Sequence, residues 1–287
     1  MQNLQARPSK TSSTASMKQK PLPTLTASNY YDVATDWQYL SPTVYKRFLA
    51  CEAEALAEMK GDYVPDSDKT PLLVGNYLHS YFESKVSHDK FIAANKDTMI
   101  SKKSPHGLLK DYKVADSMIA TLEDDEMFRR VYQGQKEQIV TGKIAGVPWK
   151  GKVDCLNLDN GYFVDLKTTQ DLHKRFWDSE SRTWVPFVTE QNYQLQMAVY
   201  RELIKQTFGV DCQPIIIAVT KQDPPDKAAL SIPDEDLAWA MSEIEIHQEH
   251  VLQVMNGEVE PKRCEHCDYC RSTKHLGNII SIDDLID

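Results

Sequence analysis

Apolar residues recur at helical spacing through the first part of the chain and in short alternating runs through the middle. Ser41-Pro42 reads as an N-cap followed by proline in the first turn. Val44, Phe48, Cys51 and Ala55 then continue one helical face. Leu73, Tyr77, Tyr81 and Phe82 mark a second helix over about 71–95, and a third is expected over 115–132. Between them the loop SKKSPHGLLKDYK, residues 101–113, is basic. From Glu137 the period changes to two: EQIVTGKIAG, PWKGKVDCLNL and YFVDLKTT read as strands. Asp159-Asn160-Gly161, between the last two, is a hairpin signal. A loop rich in large aromatics follows (Phe176, Trp177, Trp184). The pattern then gives a helix over about 190–206, a buried-type strand at 214–219 and a helix over 231–257 with Pro233 near its start.

Composition narrows the classes. The 287 residues are 41% hydrophobic, enough for one large or two small cores, and no apolar run approaches the roughly 18 residues that cross a bilayer. The first ten residues, MQNLQARPSK, lack the apolar core of a secretory signal. A soluble protein of the bacterial host cytoplasm, with no membrane partner, is the expectation. Residues 1–28 are rich in Ser, Thr, Pro and Lys and contain no aromatics, so they read as a disordered basic tail. Arg7, Lys10, Lys18 and Lys20 give that tail +4, leaving −13 on the remainder of a chain whose net charge is −9. Such a balance excludes general coating of nucleic acid but not a local basic groove.

The chemistry concentrates at Gly151-Lys152-Val153-Asp154 and, ten residues on, Asp165-Leu166-Lys167. If Asp159 and Asn160 form the turn, Asp154 stands opposite Asp165; if Asn160 and Gly161 do, it stands opposite Lys167. Either two-residue turn places Asp154, Asp165 and Lys167 on one face. Two carboxylates and an ammonium so close suit a hard divalent cation and phosphodiester hydrolysis. A D-x-K alone is equally a solvated strand face with a cross-strand ion pair.

Here it does not stand alone. Gly75-Asn76-Tyr77-Leu78-His79 precedes the hairpin and Gln196-Met197-Ala198-Val199-Tyr200 follows it. In that order the four blocks resemble the RecB-like branch of the PD-(D/E)XK nuclease superfamily. Ser41-Pro42-Thr43, Phe48, Tyr193-Gln194-Leu195-Gln196 and Cys264-Glu265-His266-Cys267-Asp268-Tyr269-Cys270-Arg271 narrow the likeness to RecE-like phage and prophage exonucleases, over about residues 30–274. The resemblance implies an α/β fold with a PD-(D/E)XK core, a central mixed β-sheet flanked by helices. It implies a Mg²⁺- or Mn²⁺-dependent exonuclease acting 5′→3′ on double-stranded DNA ends. Such an enzyme leaves 3′ single strands for a RecT-type annealing protein in recombination, and works as a ring-shaped homo-oligomer. Asp154, Asp165, Lys167, Gln196 and Tyr200 would be catalytic, with His79, Asp154 and Asp165 on the metal. Glu83, one turn beyond His79, is either a support for that site or merely exposed. Lys102, Lys103, Lys110, Lys113, Lys150 and Lys152, with Lys143, are the DNA-contact candidates, and solvated lysines the alternative for each. Trp177 and Trp184 either stack on unpaired bases or pack. Competing functions are an iron–sulfur RecB-type end-trimming single-strand nuclease and a non-catalytic DNA-binding subunit.

Cys264, Cys267 and Cys270 bring three thiols together, and a tetrahedral site needs a fourth ligand. Cys51 is the candidate, with His266 the alternative for zinc. One cysteine early and three late resembles the iron–sulfur staple of some RecB-like nucleases, whose last gap is longer. An iron–sulfur cluster and Zn²⁺ are the candidate occupants; three reduced thiols, with Cys51 in the core, are the competing reading. Cys155 is expected in the core. The organisation read from the sequence is a tail (1–28), a nuclease domain (29–260), a cysteine-rich segment packed on it (261–276) and an acidic tail (277–287) that could dock on a partner.

Overall fold

The computed structural model describes residues 21–282 except 67, 180, 278 and 280. The helical part opens with α1 (Val33–Asp36), α2 (Pro42–Ala50), α3 (Glu52–Lys60), α4 (Thr70–Glu83), α5 (Lys85–Met99), α6 (Lys110–Glu123) and α7 (Glu126–Val131). Strands β1 (Gln135–Ile144), β2 (Val147–Asn157) and β3 (Tyr162–Thr169) follow, then a small hairpin of β4 (Arg175–Asp178) and β5 (Thr183–Pro186). The chain continues through α8 (Phe187–Glu190), α9 (Tyr193–Phe208), β6 (Gln213–Thr220), β7 (Lys227–Ser231), α10 (Asp234–Met255) and α11 (Asp268–Ser272).

The five-stranded sheet runs β1-β2-β3-β6-β7, with β3 and β6 parallel and every other pair antiparallel. Helices cover both faces. Side chains of β3 alternate between two cores: Phe163 packs with α2, α3, α9 and α10, whereas Val164 and Leu166 pack with α4, α6 and α7. Each face of the sheet removes a stripe of apolar side chains from water, the main drive for such layering. Among the described residues no helix is long and apolar enough to cross a membrane.

Several predicted elements divide at polar caps. The helix expected over 71–95 breaks at Ser84, whose extended backbone and hydroxyl cap Ser87 N–H at 3.1 Å and start α5. The helix expected over 115–132 divides at Asp125, which caps Phe128 N–H. It also begins earlier, so Lys110 and Lys113 are helical. Cys51 is not within the first helix: it is extended, between α2 and α3. The aromatic loop is the β4–β5 hairpin, and β7 has no counterpart among the expected elements. Of the expected tail, residues 1–20 lie outside the described residues. Residues 21–28 are attached to the fold, because Asn29 caps Thr26 and Pro23 C=O accepts the Tyr39 hydroxyl at 3.0 Å. The disorder expected there is corrected for those residues. Most of the acidic tail lies outside the described residues.

Candidate active site

The hairpin takes the register in which Asp154 stands opposite Asp165: Asn157 pairs with Tyr162 and Cys155 with Val164. There the β2–β3 ladder stops. Beyond it the Asp154 carboxylate substitutes for a backbone acceptor and takes Leu166 N–H at 2.7 Å. The strand alternation also slips. Val153 and Leu156, three apart, both enter the α9-side core, while Cys155 enters the α4-side core. The one-face picture is thus corrected. Asp154 is met by His79 Nδ1 of α4 at 3.4 Å, and Asp165 by Gln196 Nε2 of α9 at 2.9 Å, from opposite faces of the sheet. The site occupies the split between β2 and β3.

Lys167 Nζ lies 2.5 Å from Asp165 Oδ2. Asp165 is only 1% exposed, and Lys167 is the partner of its Oδ2. His79, Glu137 and Asp154 bring ligand atoms to within 4.8 Å of one another. One imidazole nitrogen and several carboxylate oxygens suit Mg²⁺ or, with the imidazole, Mn²⁺. The residues present therefore fit a divalent cation. Glu137 lies outside the sequence motifs, and Glu83, considered as a support for the site, is not part of this group. Glu137 sits on β1 with φ 51°, in the one register position between Gln135 and Ile144 that skips its ladder pair, facing Asp154. Its signal is in the sequence. Ala145-Gly146 is a two-residue turn, and counting back from the Ile144–Val147 pair puts Glu137 opposite Asp154.

The charges support one another. Burial alone would lower the His79 pKa, but attraction to Asp154 and the contact with it raise it. Burial alone would raise that of Asp154, yet His79, Lys167 and Leu166 N–H together hold it low. Burial raises the pKa of Asp165, with Lys167 opposing and Asp154 adding to the rise. Burial and the neighbouring Asp154 raise that of Glu137 against Lys152. Lys167 remains charged, because Asp165 and Asp154 outweigh its burial. A second cation, Lys46 of α2, donates to Gln191 C=O at 3.1 Å; burial and Lys167 lower its pKa to about 8.

Gln196 and Tyr200 act behind this front. Gln196 Nε2 also reaches the Tyr200 hydroxyl at 3.2 Å. The Tyr200 ring lies on Gly151, where a Cβ would stand 2.8 Å from it. Both are expected to be catalytic; in the structure Gln196 donates to Asp165 and to the Tyr200 hydroxyl, which places the two behind the carboxylates. The lysines divide. Lys102, Lys103, Lys110, Lys113 and Lys143 are exposed. Lys143, however, lies beside the β1–β2 turn, about 20 Å along β2 from Asp154. Lys150, offered as a DNA contact, is 1% exposed and bonded to Tyr30 C=O, Thr35 and Asp36, so it is a structural anchor. Lys152 is half-buried and paired with Glu137 at 2.5 Å.

At the C-terminal segment, Cys51, Cys264, Cys267 and Cys270 bring their sulfurs within 4.8 Å of one another. The Cys51–Cys270, Cys51–Cys267 and Cys264–Cys270 separations are 3.5, 3.8 and 4.0 Å. Cys267 N–H and Cys270 N–H donate to the Sγ of Cys264 and Cys267, both at 3.3 Å. Although burial opposes it, N–H donors of Cys267 and His266 bring the Cys264 thiol down to about 6. His266 is not part of this group of four. Cys155, as expected, is buried core.

A split mixed sheet carrying D…D-x-K, a helical histidine on one side and a glutamine on the other defines a PD-(D/E)XK nuclease. The chain belongs to the family described as PDDEXK-like domain of unknown function (DUF3799), which matches residues 41–273. It is similar to the crystal structure of a candidate exonuclease from Eubacterium rectale. The TM-score is 0.84 at 35% identity, over 92% of this chain and 98% of that one. The structure of SSO0001 overlaps 79% of this chain and 93% of its own at a TM-score of 0.30 and 14% identity, too little to bear on function. No curated protein matches the sequence.

Proposed function

We propose that the protein is a divalent-metal-dependent exonuclease that degrades linear double-stranded DNA from its ends, 5′→3′. The exposed 3′ strand would pass to a RecT-type annealing protein during phage-type recombination, and the enzyme would work as a ring of identical subunits in the bacterial cytoplasm. The observation that carries the nuclease reading is the convergence of Asp154, Asp165, Lys167, His79 and Glu137 in the β2–β3 split. Polarity, recombination partner and ring rest on the sequence likeness to RecE-type enzymes.

His79, Glu137 and Asp154 would hold Mg²⁺ or Mn²⁺, with the Asp165–Lys167 pair beside them. When bound, such an ion activates water and neutralises charge on the phosphate. The chain's own groups do the rest. Lys167 stays an ammonium, so it donates to the attacking water or balances the charge growing on the phosphate oxygens, rather than removing a proton. Gln196 keeps Asp165 from rotating, and Leu166 N–H keeps Asp154. A non-catalytic DNA-binding subunit would have no use for so much buried charge, which is costly wherever it is not needed.

At the cysteines we favour one tetrahedral ion of the Zn²⁺ type over an iron–sulfur cluster. Zn–S bonds of about 2.3 Å place tetrahedral sulfurs about 3.8 Å apart, the spacing observed here. A four-iron cube standing between the sulfurs would need them further apart. This lowers the weight of the iron–sulfur end-trimming alternative.

Digestion of linear duplex labelled at 5′ or 3′ ends, with Mg²⁺ or EDTA and a circular control, tests the reading. Loss of the 5′ label first, with circles intact, is expected. Cleaved circles, or release of the 3′ label first, would overturn it.

A further inference from the structure

The β4–β5 hairpin has no part in the site just described, yet it leaves the sheet directly after Lys167-Thr168-Thr169 and returns directly into α8 and α9. Its pairs are Arg175–Pro186, Phe176–Val185, Trp177–Trp184 and Asp178–Thr183. Because residues two apart share a face, the hairpin has two unlike sides. Phe176 and Val185, half-buried, occupy one. Arg175, Trp177, Trp184 and Pro186 occupy the other, and all four are exposed. The tryptophans are 55% and 58% exposed and meet edge to face with centroids 5.5 Å apart.

Exposing two indoles costs solubility, and hydrophobic surface of this kind marks a binding site. The charges select the occupant. Arg175 is the charged side chain on the tryptophan face at the hairpin base, and Arg182 is exposed in the turn at its other end. Asp178 is on the opposite face and accepts Ser181 N–H at 3.2 Å; the other acid of the hairpin, Glu180 in the turn, lies outside the described residues. Aromatic planes with neighbouring guanidinium groups form a stacking surface for unpaired bases and their phosphates. The hairpin is also coupled to the chemistry. Buried Phe187 at its base meets the Tyr193 ring at 6.2 Å, and Lys167 Nζ stands 4.6 Å from the centroid of that same ring. The tryptophan pair lies about 7 Å beyond the Arg175–Pro186 base of the hairpin.

From this we infer that Trp177 and Trp184 form a stacking platform for single-stranded DNA beside the active site, engaging the bases unpaired at the duplex end. The inference rests on the nuclease reading and adds a binding surface to it. The test uses the full-length protein and its Trp177→Ala/Trp184→Ala and Trp177→Phe/Trp184→Phe variants. Binding of a fluorescent oligo-dT and of a duplex with a frayed end is measured in Ca²⁺, alongside cleavage in Mg²⁺ and the oligomeric state by light scattering. The alanine variant should lose about tenfold or more in oligo-dT affinity, on the scale of one lost stack. The phenylalanine variant should recover most of it, and frayed ends should be affected more than fully paired ones. Unchanged affinity in the alanine variant, in a wild type that cleaves DNA, overturns the platform and leaves the nuclease reading standing. A wild type that binds oligo-dT through the tryptophans but cleaves nothing retains the platform and overturns the nuclease. A change of subunit number with unchanged DNA affinity makes this face a contact between copies and also overturns the platform.

Discussion

Among the described residues the molecule has two candidate metal centres built on opposite principles. The carboxylate centre is set into the middle of the sheet: Asp154 and Asp165 are fixed by strand register, and each is held again by a side chain or amide from the surrounding layers. The thiol centre lies where the chain is tied rather than where it is woven. Cys51 sits in the break between α2 and α3, and its three partners come from a segment more than 200 residues later with little core of its own. Hard oxygen ligands are therefore rigid without their ion, whereas the soft ligands depend on it to hold the segment. One centre should govern rate and the other stability.

The largest expected effect tests the first half of that contrast. Asp165→Asn and Lys167→Ala should each reduce DNA hydrolysis by about 10²–10³ or more, the scale of removing a preorganised charge from a transition state. DNA binding in Ca²⁺ should stay near wild type, and because each change leaves its partner in the buried Asp165–Lys167 pair without its counter-charge, the rates are compared at a temperature where the variants are folded. Retained cleavage in either variant would remove these residues from the site.

Second comes the thiol centre. Cys264→Ala, or extraction of the ion by a strong chelator, should lower the melting temperature by roughly 10 °C. An ion held a thousandfold above its Kd adds about 4 kcal/mol, and each kcal/mol moves the midpoint by roughly 2–4 °C in a domain of about this size. Hydrolysis at a temperature where the variant remains folded should change little. Metal analysis of the native protein should give one zinc per chain and no iron. A brown protein with stoichiometric iron would refute the single-ion reading, and an unchanged melting temperature would break the division of labour.

How much of this was legible in the sequence depends on how local each signal is. G-x-x-x-H, D…D-x-K and Q-x-x-x-Y are short and periodic, so their order was legible as a family likeness, whereas Glu137 lies in none of them. Cysteine spacing foretold the four-sulfur cluster, although Cys51 proved to be a hinge residue rather than a helical one. Lys150 was not legible. Its burial requires residues 30–36 to fold across β2, and no pattern inside β2 announces that. The split between β2 and β3 was hidden for a related reason. Two-residue alternation describes an unbroken ladder, and here Asp154 replaces a rung.

Glu137 supplies a third, smaller effect. Glu137→Gln should weaken Mn²⁺ binding about tenfold, the lower end of what altered metal surroundings cost, with a smaller loss of rate at saturating metal. The pH dependence is sharper evidence. Burial raises the Glu137 and Asp165 pKa values, and His79 is raised by Asp154. Of these, His79 and Glu137 must shed protons before they can serve as ligands, so affinity should fall as pH drops through those raised values and still be rising near neutrality. Calorimetry in buffers of different ionisation heat should show proton release on binding, reduced in the Glu137→Gln protein. Binding without proton release would exclude these groups as ligands.

The smallest expected effect provides a baseline away from both centres. Arg201 of α9 makes a two-pronged ion pair with Asp211, at 2.6 and 2.8 Å, and reaches Asp234 at the start of α10. The helix carrying Gln196 is thereby braced at its outer side. Asp211 is half-exposed, so screening keeps the pair under about 1 kcal/mol. Hydrogen bonding from Arg201 lowers the Asp211 pKa despite partial burial. A depressed folded-state pKa gives stability that is complete above the ordinary carboxylate range and lost as pH falls through the lower value. Asp211→Asn should therefore melt a degree or two below wild type at pH 7, and the two curves should converge in acid below about pH 4. Its hydrolysis rate should match wild type, because Asp165 is positioned from the core side of α9, by Gln196 and the Tyr200 ring seated on Gly151, not from this outer brace. A fall in rate without a fall in stability would show that the carboxylate centre depends on surface ties after all, and the contrast with the thiol centre would narrow accordingly.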